Sequence, residues 1–156
     1  KLCSFLESLR FIHFLQRLNL NNEAQSTTDC FTTEANKLDC FILTSLTHLK
    51  GVCVTPVFAR VFGCSLPEMP SLETLEIIGI GGILRAEDME ALFGGFTKTM
   101  PLRSLTFNNF SVRWCLAPLI RKLRFYLNLE DLDLKMLNLD CLDLCSVLEA
   151  LRLVRR

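Results

Sequence analysis

Leu102-Arg-Ser-Leu105-Thr-Phe107-Asn-Asn-Phe110 and, further along, Leu129-Glu-Asp-Leu132-Asp-Leu134-Lys-Met-Leu137 carry apolar residues at the same offsets. In each stretch the second and third apolar residues are two apart, the period that sets both on one side of an extended strand. The leading leucine, three positions earlier, turns inward from the preceding loop. One such strand cannot bury its apolar side alone. Stacked strands form a parallel sheet, and their inward residues line up as a continuous ladder. A parallel sheet needs a crossover back to its start, and a helix supplies it.

The spacing recurs upstream as Leu72-x-x-Leu75-x-Ile77-x-x-Ile80, Leu38-x-x-Phe41-x-Leu43-x-x-Leu46 and Leu15-x-x-Leu18-x-Leu20. The intervals between the starts Leu15, Leu38, Leu72, Leu102 and Leu129 are uneven, the first shortest and the second longest. A second, independent match brackets them. Leu2-Cys-Ser-Phe-Leu-Glu-Ser-Leu-Arg10, near the start, and Leu144-Cys-Ser-Val-Leu-Glu-Ala-Leu-Arg152, near the end, agree at seven of nine positions. Five units in that span give about 28 residues each, inside the range of leucine-rich repeats.

The segments between strands read as helices, with one exception. Cys3 to Ile12 has an apolar stripe at helical spacing. Thr55-Pro56 is a cap and first turn for Val57 to Phe62. Glu87-Asp88 put negative charge in the first turn of a helix to about Phe93, and Gly94-Gly95 end it. Pro118 argues for a helix that starts near Ala117 and runs to about Tyr126. Leu142 to Leu153 forms the last. The exception, Asn21 to Asn36, is rich in Asn, Ser and Thr and reads as an irregular loop.

Composition narrows the function classes. The 156 residues are half apolar, which suits a single folded domain, 1–156, of about five units. Lys plus Arg equals Asp plus Glu, so no overall electrostatic footprint points to nucleic acid or an anionic membrane. Arg152, Arg155 and Arg156 read as a solvated helix end. The longest apolar run, Ile77 to Leu84, is too short to span a bilayer and is broken by glycines. The start has neither an initiator Met nor a secretory signal, so the sequence reads as a segment of a longer protein. Eight cysteines sit mostly among hydrophobic residues with no CxxC pair, which favours reduced thiols and a cytoplasmic setting.

These residues resemble a known family. Repeats of this length with outer helices are similar to the ribonuclease-inhibitor class of leucine-rich repeats found in cytosolic NOD-like receptors. The resemblance is closest, over Leu72 to Pro101, Phe110 to Leu119 and the two Leu-Cys-Ser-x-Leu-Glu-x-Leu-Arg segments, to the branch that also carries inhibitor-of-apoptosis repeats. It implies an α/β leucine-rich-repeat solenoid, a horseshoe arc with a parallel sheet on the concave face and helices on the convex face. It implies a protein-interaction and autoinhibitory module of an innate immune sensor. The partners implied are flagellin or a secretion-apparatus subunit, the receptor's other domains, and a partner NOD-like receptor in an inflammasome. The parent family's ATP and zinc belong to domains with no counterpart in this sequence, so no cofactor is expected here.

Catalytic readings are weaker. Gly79-Ile-Gly-Gly82 lacks dinucleotide spacing and a following Lys-Ser/Thr, and Gly94-Gly-Phe-Thr-Lys98-Thr99 also fails as a phosphate loop. His13 and His48 could pair with a cysteine, but no third orienting group is apparent. Asp131 and Asp133 share one strand face, where a solvated acidic patch is the plainer reading than acid–base work. The chain is therefore expected not to be an enzyme.

The concave face should carry the residues between and just after the ladder leucines. These are Arg17, Asn19 and Asn21; Cys40, Ile42 and Thr44; Thr74, Glu76 and Ile78; Ser104, Thr106 and Asn108; Asp131, Asp133 and Lys135. Ile42 and Ile78 would form an apolar spot rimmed by polar groups, which marks a contact site, a surface covered by the parent protein, or stray aliphatics. A generic adaptor scaffold or an enzyme inhibitor stays open beside the sensor reading.

Overall fold

The computed structural model describes residues 15–19, 44–79, 84–123 and 128–154. They form an α/β fold with a five-stranded, all-parallel sheet and four α-helices. The strands are β1 (Arg17–Asn19), β2 (His48–Val54), β3 (Thr74–Gly79), β4 (Ser104–Ser111) and β5 (Asp131–Leu137), ordered in the sheet as in the sequence. Helices α1 (Pro56–Ser65), α2 (Ala86–Gly94), α3 (Val112–Leu123) and α4 (Cys141–Val154) follow β2, β3, β4 and β5. They pack on one another in the same order. No helix among the described residues is long and apolar enough to cross a membrane.

Register makes the expected ladder. Leu18, Leu49, Leu75, Leu105 and Leu132 stand side by side across the sheet. Val52, Ile77, Phe107 and Leu134 form the next rung. In β3 burial alternates, with Leu75, Ile77 and Gly79 buried and Thr74, Glu76 and Ile78 half-buried. Each strand is seated on its predecessor in one way. The carbonyls of Gln16, Thr47, Glu73 and Arg103 each accept from two successive amides that open the next strand, at 2.8–3.0 Å.

The second unit departs from expectation. Positions 38–43 of the pattern expected at Leu38 to Leu46 lie outside the described residues, and the strand between β1 and β3 lies at His48–Val54. Leu46, fully buried, is the leading leucine of its unit rather than the last residue of one. The spacing misleads because β2 carries an extra residue: its register to β3 shifts between Leu49 and Val52, with Gly51 there at φ 71°. Such a bulge sends Val52 rather than residue 51 inward, and a positive φ is cheap only for glycine. With Leu46 as leader in place of Leu38, the starts Leu15, Leu46, Leu72, Leu102 and Leu129 are much more evenly spaced. Strand β4 has its own bulge between Asn108 and Phe110, where Asn109 takes φ 62° and its side-chain amide donates to the Gly79 carbonyl at 2.8 Å.

The helices agree with the sequence in place more than in extent. At α1 the Thr55 hydroxyl accepts from the Phe58 amide at 3.3 Å, with Pro56 as first residue. At α4 the carboxylates of Asp140 and Asp143 cap each other's amides at 2.9 and 3.3 Å. Helix α3 begins at Val112, directly after β4, and runs through Pro118 instead of starting beside it. The proline costs one backbone bond, and burial of Leu116, Pro118 and Leu119 offsets it. The expected helix at Cys3 to Ile12 and loop at Asn21 to Asn36 lie outside the described residues.

The core lies between sheet and helices. Its phenylalanines interlock: Phe93 packs against Phe96 and Phe107 with centroids 5.5 and 5.4 Å away, and Phe107 meets Phe110 edge-on at 5.4 Å. Between α1 and α2 the backbones come so close that a Cβ on Gly63 would run into the Ala91 carbonyl. Polar links tie the helix layer. Buried Asp88 on α2 accepts from Arg60 on α1 at 3.2 and 3.3 Å and from the Arg85 amide at 3.1 Å. Glu90 on α2 pairs with Arg121 on α3.

Candidate protein-interaction face

The sheet face turned away from the core presents three rows. The first is Arg17, His48, Thr74, Ser104 and Asp131; the second holds Asn19 beside Lys50 and, further on, Glu76, Thr106 and Asp133. The third is Cys53, Ile78, Asn108 and Lys135. The fold thus brings together Arg17, Asn19, Glu76, Ile78, Thr106, Asn108, Asp131, Asp133 and Lys135. Four expected residues, Thr44, Ile42, Asn21 and Cys40, are not placed among them by the described residues. Thr44 sits in a turn ahead of β2, before the strand begins at His48. Ile42, with Asn21 and Cys40, lies outside the described residues, and the β2 places on this face go to His48, Lys50 and Cys53. The neighbour of Ile78 is therefore Cys53, not Ile42. The signal that points to these residues is Gly51, a glycine within a run of strand formers.

Charge is segregated along the face. Arg17 and Lys50 lie at the β1–β2 end, whereas Glu76, Asp131 and Asp133 lie on β3 and β5. At the acidic end Ser104 donates to the Asp131 carboxylate at 3.0 Å, and Arg103 pairs with Glu130 at 3.1 Å in the rim below. Lys135 reaches Asp133 at 2.8 Å. That hydrogen bond, the charge of Asp133 and the more distant charge of Glu76 hold the Lys135 ammonium above its ordinary pKa of 10.5. These pairs are solvated, so they set local charge more than stability.

Burial pushes the Cys53 thiol above its ordinary pKa, which keeps it protonated and a poor nucleophile. His48 and Cys53 stand near opposite ends of the seven-residue β2. The Thr47 hydroxyl lies 2.9 Å from the Gln16 carbonyl and 2.7 Å from His48 Nδ1. When the hydroxyl donates to the carbonyl, its oxygen can accept from His48 only through an Nδ1–H. Among the described residues no group of three or more His, Cys, Asp or Glu side chains gathers to hold a metal ion.

On the helix side, an open cleft of about 490 Å³ lies between α3 and α4, lined by Leu116, Ala117, Ile120, Asp143 and Ser146 among others. Asp143, the carboxylate among its described lining residues, accepts from the Asp140 amide. No protein-family model matches the chain, and no curated protein matches it.

Proposed function

We propose that this chain is the protein-interaction region of a cytosolic innate immune sensor, built as a leucine-rich-repeat solenoid of the ribonuclease-inhibitor class. The sequence resemblance to the neuronal apoptosis inhibitory protein supports that reading. The observation that carries it is the register of the five parallel strands. It sets Arg17 and Lys50 at the β1–β2 end of one sheet face, and Glu76, Ile78, Asp131 and the Asp133–Lys135 pair toward the β5 end. Segregated charge of this kind steers and orients a protein partner.

The face then contacts a bacterial protein ligand such as flagellin or a secretion-apparatus subunit, or the receptor's own other domains. The test is capture of flagellin by the chain, with ribonuclease and a caspase as controls. Flagellin retained by the wild type and lost with Asp131→Arg/Asp133→Arg supports the proposal. Equal retention by the folded double variant overturns the assignment of this face.

A further inference from the structure

Arg60, Arg103, Arg121 and Lys135 each pair with a carboxylate. Among the described residues Arg17 and Lys50 do not. These two cations are also close neighbours. Both are exposed, and both stand at the β1–β2 end of the sheet face. Register sets Arg17 beside His48 and Asn19 beside Lys50. Adjacent strands lie about 4.8 Å apart and alternate residues of a strand about 6.6 Å apart, so the four positions make a compact rectangle. Arg17 and Lys50 occupy opposite corners, and their long side chains can both reach over its centre.

His48 is arranged for a ligand at that centre. The Thr47 hydroxyl holds its Nδ1 at 2.7 Å and is itself anchored on the Gln16 carbonyl. The ring is thus held through one nitrogen, which leaves Nε2 for a second partner, and a protonated ring donates from it. The charged groups on the adjoining segments are Arg17 on β1, Lys50 on the same strand, Glu73 ahead of β3 and Glu76 on β3. Thr74, the β3 neighbour of His48, adds a hydroxyl. A guanidinium binds two oxygens at once and an ammonium adds a point charge, so this donor set suits an oxyanion. Two fixed positive charges, with a third from protonated His48, match a phosphate monoester of nearly two negative charges better than a single carboxylate.

We infer that Arg17, His48 and Lys50 form an oxyanion subsite on the sheet face that takes a phosphate monoester group. The inference rests on the reading of this face as a contact surface, though not on any immune role.

The test follows the His48 ring by nuclear magnetic resonance as inorganic phosphate is added to the full chain, with chloride at equal ionic strength as the blank. His48→Gln assigns the signal. A saturable shift is expected, and Arg17→Gln or Lys50→Gln should each weaken binding at least about fivefold. Lys98→Gln, in the loop after α2, should leave it unchanged. Sulfate keeps its double charge throughout the neutral range. Its binding, measured by calorimetry, should therefore tighten as pH falls from about 8 to about 6, where imidazoles gain a proton, and His48→Gln should remove that dependence. A pentapeptide of phosphoserine flanked by glycines that binds tighter than inorganic phosphate identifies a phosphorylated protein segment as the source, and equal affinity identifies a free phosphate. A shift no larger than that with chloride overturns the inference, as does equal affinity in the wild type and the Arg17→Gln/Lys50→Gln double variant. A loss of the same size in Lys98→Gln also overturns it, because general charge attraction then explains the binding. Capture of flagellin reads the earlier proposal through Asp131 and Asp133 at the other end of the face, so either can fail alone.

Discussion

Asp88, in the first turn of α2, receives its ion pair from Arg60 on the preceding helix α1, while its second oxygen accepts the Arg85 amide. The carboxylate is buried and the guanidinium largely exposed, so the two partners are not equivalent. Arg60→Leu leaves a buried charge with one backbone donor, and we expect a loss of about 1–3 kcal/mol. Arg60→Lys should recover part of it. Urea unfolding of the three proteins measures this, and identical midpoints would show that the pair carries no stability.

Two glycines one unit apart should respond with opposite signs. A Cβ on Gly63 meets the Ala91 carbonyl, whereas one on Gly94 meets nothing within 4 Å. Gly63→Ala forces α1 and α2 apart, at a cost of about 1–3 kcal/mol. Gly94→Ala adds helix propensity at the end of α2 and gains up to about 1 kcal/mol. Thermal melts that move in the same direction would contradict the helix spacing.

Ladder leucines should differ by position. Leu105 is fully buried between β3 and β5, and Leu105→Ala opens a cavity worth about 2–5 kcal/mol. Leu132 is half-buried, so Leu132→Ala should cost less, about 1–2 kcal/mol. Equal losses at both sites would place Leu132 in a closed core.

The Lys135–Asp133 contact should be visible in a titration. Because Lys135 has a raised folded pKa, its favourable interaction is present at neutral pH and vanishes as pH rises through that raised value, above 10.5. Nuclear magnetic resonance of the Lys135 side chain should report a midpoint above that of an ordinary lysine. Asp133→Asn should lower it. A midpoint unmoved by that change would remove Asp133 as the cause.

Much of the sheet is legible in the sequence because Leu72, Leu102 and Leu129 keep the spacing of a half-buried strand. The faces of β3, β4 and β5 then follow by alternation. Unit two is not legible, since Gly51 inserts a residue into β2 and breaks the regular spacing there. The start of α3 misleads for a similar local reason, as Pro118 carries a helix-breaking signal that burial around it overrides. Glu87-Asp88 announce a helix start, but the pairing of Asp88 with Arg60 depends on helix stacking and leaves no mark in either local sequence. His48, Lys50 and Cys53 escape a reading of the face only because the position of β2 does.

The carbonyls of Gln16, Thr47, Glu73 and Arg103, each holding two amides of the strand that follows, make every strand's seating a matter between immediate neighbours. Each such contact closes only the segment between adjacent strands, so the closure entropy is about the same at every step of the sheet. Damage is contained for the same reason. Where stability is a sum over neighbouring units, a lesion in one unit loosens chiefly the two it touches.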